Sequence, residues 1–187
     1  MTGVQTCALP IYHDSHPRET SLDALAALSP VSPGSVQTAG NSCALVDGAA
    51  AMLVGDARGA KAPLALLRAS AVVGVPPEIM GIGPAPAIRL LLEGAGLALD
   101  AIDSLEINEA QGAQVLAVQR ELELDPERLN RHGGAIALGH PLAATGLRLA
   151  HSVARQLAAR GTRYGIAAAC IGGGQGMALL LENPAPR

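Results

Sequence analysis

Phenylalanine and tryptophan are absent from this 187-residue chain, and tyrosine occurs only twice. The aromatic platforms on which single-stranded nucleic acids usually stack are therefore missing. The core must be filled by alanine, leucine, valine and isoleucine. A basic excess is missing too: the formal charge is −3, so no field exists to gather phosphate backbones. Together these absences argue against nucleic acid as a partner. Three cysteines, Cys7, Cys43 and Cys170, are too few and too scattered for a disulfide framework, and no pair has the Cys-x-x-Cys spacing of a zinc or redox site. A reducing, cytoplasmic compartment and no metal site are the expectation. The longest apolar runs, such as Ala62–Pro77, are broken by Arg68 and prolines short of the roughly 20 residues a membrane span needs. No membrane association is expected.

What is present is a globular composition, 49% hydrophobic and 16% charged, in a chain long enough for one domain or a little more. Residues 1–12 have neither signal-peptide layout nor any helical or strand period. They resemble the translation of a sequencing adapter fused to a reading frame, and are set aside as a non-native leader, Cys7 with them. Residues 13–40 are punctuated by Pro30, Pro33 and Gly34 and read as a connector with one short helix near Leu22–Leu28. Two apolar pieces around Asp47-Gly48, within Ala44–Gly55, suggest strand.

Further along, Ala69–Val75 reads as a buried strand stopped by Pro76-Pro77. Ile88, Leu91, Leu92 and Ala95 repeat at three and four between Pro84 and Gly96, which predicts a helix over Pro84–Ala95. Ser104–Ile107 reads as a short strand, with Asn108 as the N-cap of a helix running to Leu122. Asp125-Pro126 opens a turn, and Ala135–Leu138 is a strand candidate. Leu147, Ala150, Val153, Ala154 and Leu157 share one face of a helix over Thr145–Ala159. Ile166–Cys170 and Met177–Leu181 are strands joined by glycines. Strands alternating with helices make an α/β fold, the last two strands antiparallel.

Two segments carry chemistry. Gly133-Gly134-Ala135-Ile136-Ala137-Leu138-Gly139-His140-Pro141 and Cys170-Ile171-Gly172-Gly173-Gly174-Gln175-Gly176 set an imidazole and a thiol in glycine, where backbone can approach a ligand closely. An imidazole exchanges protons near neutral pH; a thiol acts as a base only where its surroundings favour thiolate, which free N–H groups of a glycine loop would do. The glycine run lacks the Lys and Ser/Thr of a phosphate-binding loop and precedes a strand, so nucleotide binding is not expected. His132 reads as a loop residue and His151 as solvated.

These two segments, with Asn108-Glu109-Ala110 between strand and helix, resemble the three C-terminal signature blocks of thiolases, the acyl-CoA C-acyltransferases that make or cleave 3-oxoacyl-CoA. The resemblance extends upstream through Glu78-Ile79-Met80-Gly81-Ile82-Gly83-Pro84 and Thr38-Ala39-Gly40-Asn41-Ser42 with Asp47-Gly48-Ala49-Ala50. It implies a thiolase-like α/β fold whose halves each hold a mixed five-stranded sheet with helices on both faces. Residues 13–30 would then be the end of a loop region, 31–61 the last strands of the N-terminal half, and 62–187 the complete C-terminal domain.

By the same resemblance Cys170 is the acid/base thiol, and His140 activates a nucleophilic thiol and donates to the thioester oxygen. Asn108 would hold a water in that oxyanion hole, and the backbone at Gly172 would form a second one. Cys43, Ala110 and Gln111 fall at substrate-binding positions. Three residues depart from the pattern: Gln111 stands where an aromatic is common, Cys43 where a small serine meets the pantetheine arm, and Ala143 where glycine is usual. Coenzyme A is implied as substrate, with no resident cofactor, and the full-length parent as a homodimer or homotetramer. The block that carries the family's nucleophilic cysteine has no counterpart in these residues. The expectation is a truncated fragment inactive alone; the alternatives are a non-catalytic acyl-CoA-binding subunit docking a partner, or an unrelated α/β binding protein.

Overall fold

A computed structural model describes residues 14, 16–56, 58–59 and 62–187; the leader 1–12, with Cys7, lies outside the described residues. The connector holds one short helix, α1 (Leu22–Ala26), where the Ser21 hydroxyl accepts from the Ala24 N–H at 3.1 Å as an N-cap. The chain then runs through β1 (Leu66–Gly74), α2 (Pro84–Ala95), β2 (Ser104–Ile107), α3 (Gly112–Leu122), the single turn α4 (Ala135–Leu138), α5 (Thr145–Arg160), β3 (Tyr164–Ile171) and β4 (Gln175–Glu182).

The four strands form one mixed sheet in the order β1-β4-β3-β2, with β2 parallel to β3 and the other pairs antiparallel. Strand alternation divides its side chains between two apolar layers. Ile166 and Ala168 of β3 with Ala178 and Leu180 of β4 meet α2 and α3, through Ile88, Leu91, Val115 and Val118. Ala167 and Leu181 meet the other face, which Leu149, Val153 and Leu157 of α5 cover. Helices thus lie on both faces. Ile88 and Ile166 are completely buried, each worth about 1.5–3 kcal/mol relative to exposure.

Four sequence expectations change. The strand expected to be buried at Ala69–Val75 is β1 at the border of the sheet, where Ala71 alone is buried and Val72 is exposed. The fifth strand is reduced, among the described residues, to a single parallel bridge of Leu129 on Leu105. The chain leaves it at once, because Asn130 takes φ 45° and its amide closes on β2 instead, accepting from the Ile107 N–H and donating to the Ile107 carbonyl, both at 2.9 Å. Ala135–Leu138 is a helical turn and not a strand. Residues 44–55 form no strand: Leu45 makes one parallel bridge to His140, and Leu53 and Val54 stand exposed with no strand beside them.

Candidate active site

Each chemical side chain sits at the end of an element. Asn108 follows β2, its N–H donating to the Ala168 carbonyl at 2.9 Å, so it continues the strand and is not a helix cap. Helix α3 begins at Gly112 with Gln111 in the cap position, because the Gly112 N–H is taken by the Asn41 carbonyl at 2.7 Å. Asn108 is buried, and its side-chain carbonyl has no partner among the described residues. It is an acceptor facing the site.

His140 is delivered by the turn α4. Gly139 leaves that turn at φ 87°, a conformation that favours glycine, and a Cβ there would meet Val46 Cγ2 at 2.5 Å. The His140 N–H then donates to the Ala44 carbonyl at 2.8 Å. The turn itself is fastened from a distance: Glu109 accepts from the Ile136 N–H at 3.2 Å and from the Asn130 amide at 2.8 Å. Glu109 lies so close to Gly134 that any side chain at position 134 would strike its carboxylate. Sequence reasoning missed Glu109 and Asn130 as supports, since their partners are distant in the chain; the signal available was Glu109's place beside Asn108.

A cavity of about 320 Å³ gathers Asn108, His140, Thr145, Cys170 and Gly172. Cys170 is the last residue but one of β3, and Gly172 lies in the turn to β4, with open space where its side chain would be. Cys43, Ala110 and Gln111 come together beside it: the Cys43 N–H donates to the Ala110 carbonyl at 3.1 Å, and Ser42 bridges to Gln111. As a thiolate, Cys43 would disfavour a second negative charge on Cys170. A larger groove of about 740 Å³ lies on another face of α5, lined by Arg148, His151 and Arg155 with Gly48–Met52; neither His140 nor Cys170 reaches it. His132 and His151 are exposed.

Burial pushes the Cys170 thiol above its ordinary range; a backbone hydrogen bond offsets part of this, and Cys43 adds to it. This corrects the expectation that the glycine loop favours thiolate. Burial likewise raises the Cys43 thiol. For His140, burial and then the Arg148 charge press the imidazole below its usual value, toward the neutral form. The site rests as a neutral imidazole and a protonated thiol. Iodoacetamide should therefore alkylate Cys170 more slowly than free cysteine near neutral pH and catch up only above the ordinary thiol range, as read by peptide mass spectrometry. Faster modification than free cysteine near pH 7 would contradict this picture.

Residues 61–183 match the profile described as "Thiolase, C-terminal domain". The chain belongs to the thiolase family. It is similar to the β-ketoadipyl-CoA thiolase of Pseudomonas aeruginosa, 48% identical over 181 residues, a span that covers 92% of this chain and 45% of that protein. The mitochondrial 3-ketoacyl-CoA thiolase of Bos taurus is 46% identical over 179 residues, with the same coverage. Among solved structures, human mitochondrial 3-ketoacyl-CoA thiolase in complex with CoA superposes with a TM-score of 0.88 at 44% identity, covering 91% of this chain and 45% of that one. This thiolase chain spans about half the length of the relatives it matches. Among its described residues no helix is long and apolar enough to cross a membrane.

Proposed function

We propose that this chain is the proton-handling part of an acyl-CoA C-acyltransferase that cleaves 3-oxoacyl-CoA or condenses acetyl-CoA. The observation that carries the reading is the single cavity shared by Asn108, His140, Cys170 and Gly172. A neutral imidazole is suited to take the proton from an attacking thiol. A protonated Cys170 is suited to give one to the α-carbon of a departing enolate, and in the reverse direction the same sulfur takes it back. The Asn108 side-chain carbonyl suits a water that turns a hydrogen toward one thioester oxygen, and the N–H groups around Gly172 suit negative charge developing on the other.

Coenzyme A thioesters enter as substrates, and the reading includes no resident cofactor. The relatives' names support the substrate class, since they are thiolases of CoA esters. The acyl-bearing thiol is supplied from outside this chain, which alone does not turn over; a parent homodimer or homotetramer and cytoplasmic placement belong to the same proposal. The domain division at residues 30 and 61 belongs to it as well, supported by a family match that begins at residue 61.

The test measures acetyl transfer between acetyl-CoA and CoA by the purified chain, then after addition of a separately expressed N-terminal half of a relative. No transfer alone and transfer in the mixture is the expected result. Transfer by the chain alone overturns the dependence on an external thiol. Tight CoA binding with no transfer in the mixture would instead point to a non-catalytic acyl-CoA-binding subunit.

A further inference from the structure

Thr145 opens α5 and is buried, yet nothing in the fold alone asks for a hydroxyl there. It is not an N-cap; that position is Ala144. Its Oγ1 touches two groups. One is the Pro141 carbonyl at 3.0 Å, and the other is Nδ1 of His140 at 2.6 Å.

A hydroxyl has one proton for these two neighbours. The carbonyl can only accept, whereas an imidazole nitrogen can do either. If the Thr145 proton pointed at Nδ1, two oxygen acceptors would face each other at 3.0 Å with no hydrogen between them. If it points at the Pro141 carbonyl, as threonines in helices often do toward the carbonyl four residues back, Oγ1 offers a lone pair and Nδ1 must carry a hydrogen. The Pro141 carbonyl already accepts from the Ala144 and Thr145 N–H groups at 2.8 and 2.9 Å, so the close oxygen pair decides: only the second arrangement places a hydrogen in both short contacts of Oγ1.

We infer that Thr145 is a positioning residue that locks His140 in the Nδ1–H tautomer and leaves Nε2 as the bare, proton-accepting nitrogen of the cavity. The inference deepens the acyl-transfer reading and rests on it only for its purpose. A neutral hydroxyl does this differently from a carboxylate. An acid paired with Nδ1 would stabilise the imidazolium and raise its pKa, whereas threonine fixes the ring and tautomer without adding negative charge. The imidazole thus stays neutral and ready to take a proton, in keeping with its depressed titration. Sequence reasoning passed over Thr145 as the first residue of a helix.

The test reads tautomers directly, with long-range proton–nitrogen NMR on the full 187-residue chain at about pH 8, where an imidazole is neutral. Wild type should show Nδ1 protonated and Nε2 bare. Thr145→Val keeps the branched shape and removes the lone pair; the ratio of Nε2–H to Nδ1–H forms should rise by roughly tenfold, the scale of one hydrogen bond. Thr145→Ser should restore the wild-type ratio. A wild-type spectrum dominated by Nε2–H, or a ratio unchanged in Thr145→Val, overturns the assignment. If Thr145→Val does not fold, the wild-type spectrum alone still decides. No step of the measurement needs acyl transfer, so failure of the tautomer lock and failure of the acyltransferase reading are seen separately.

Discussion

Gly176→Ala is expected to cost about 3 kcal/mol or more of folding stability, a large part of the roughly 5–15 kcal/mol that holds a domain together. Gly176 lies in β4 opposite Val73 of β1 and Cys170 of β3, and a Cβ there would fall inside the contact distance of the Gly83 carbonyl. The reverse approach is equally close, since a Cβ on Gly83 would stand 2.6 Å from the Gln175 carbonyl oxygen. Here backbone packs on backbone, where the sheet meets the start of α2, and no flexible side chain can swing away. Overpacking of this kind is relieved only by moving a strand or a helix. Gly74→Ala, at a position with open space around its Cβ, is the matched control and should stay within about 1 kcal/mol. Urea denaturation of the two variants decides; equal midpoints would show that β4 and α2 are not in the contact described. Because Gly176 is the ladder partner of Cys170, whatever Gly176→Ala variant still folds should also show Cys170 alkylated faster than in wild type.

The second large effect concerns proton transfer. In the complex of this chain with an N-terminal half, Cys170→Ala and His140→Ala should each lower acyl transfer by about 10²–10⁴-fold, the usual scale for loss of a general acid or base. The pH profile follows from the directions of the two shifts. His140 must be neutral to act as base, and its pKa is depressed, so activity falls only as pH drops below the ordinary histidine range. In the thiolysis direction Cys170 must be protonated, and its pKa is raised, so activity falls only as pH rises beyond the ordinary thiol range. The plateau should be wider than one set by free histidine and free cysteine. Acyl transfer measured from about pH 5 to pH 10 tests this against reference pKa values near 6.5 and 8.5; a narrow bell centred near 7.5 would mean the two groups titrate as if exposed.

Elements whose signals are local were legible in the sequence. Pro84 and Gly96 bracket α2, and the glycines after Cys170 mark the turn of the final hairpin, because these residues act on their own backbone. The misreadings share the opposite cause. Asn108 looks like a cap beside a helical pattern, yet a carbonyl from Asn41 binds Gly112 and moves the start of α3 onward. Ala135–Leu138 is too short for periodicity to separate helix from strand, and its helical turn is capped by Glu109, 27 positions away. The apolar residues of 44–55 lack a strand to pair with, which composition does not reveal. His140, Cys170 and Asn108 were found from their blocks of residues, and the structure brings them to one cavity. The charge states of the pair were not legible, because they depend on burial and on Arg148, which comes from α5. Thr145 escaped because a hydroxyl at a helix start is common and its meaning lies in the histidine it touches.

The Asn130 amide, closed on the N–H and carbonyl of Ile107, leaves the two borders of the sheet unlike each other. At β2 a side chain occupies the groups a visiting strand would need, so that border is stoppered against recruitment of another chain. At β1 no such plug stands among the described residues, and Leu67 and Val72 are exposed along it. If copies of this chain ever join by strand addition, they should meet β1 to β1 and stop at a pair, because both outer borders are then the stoppered β2.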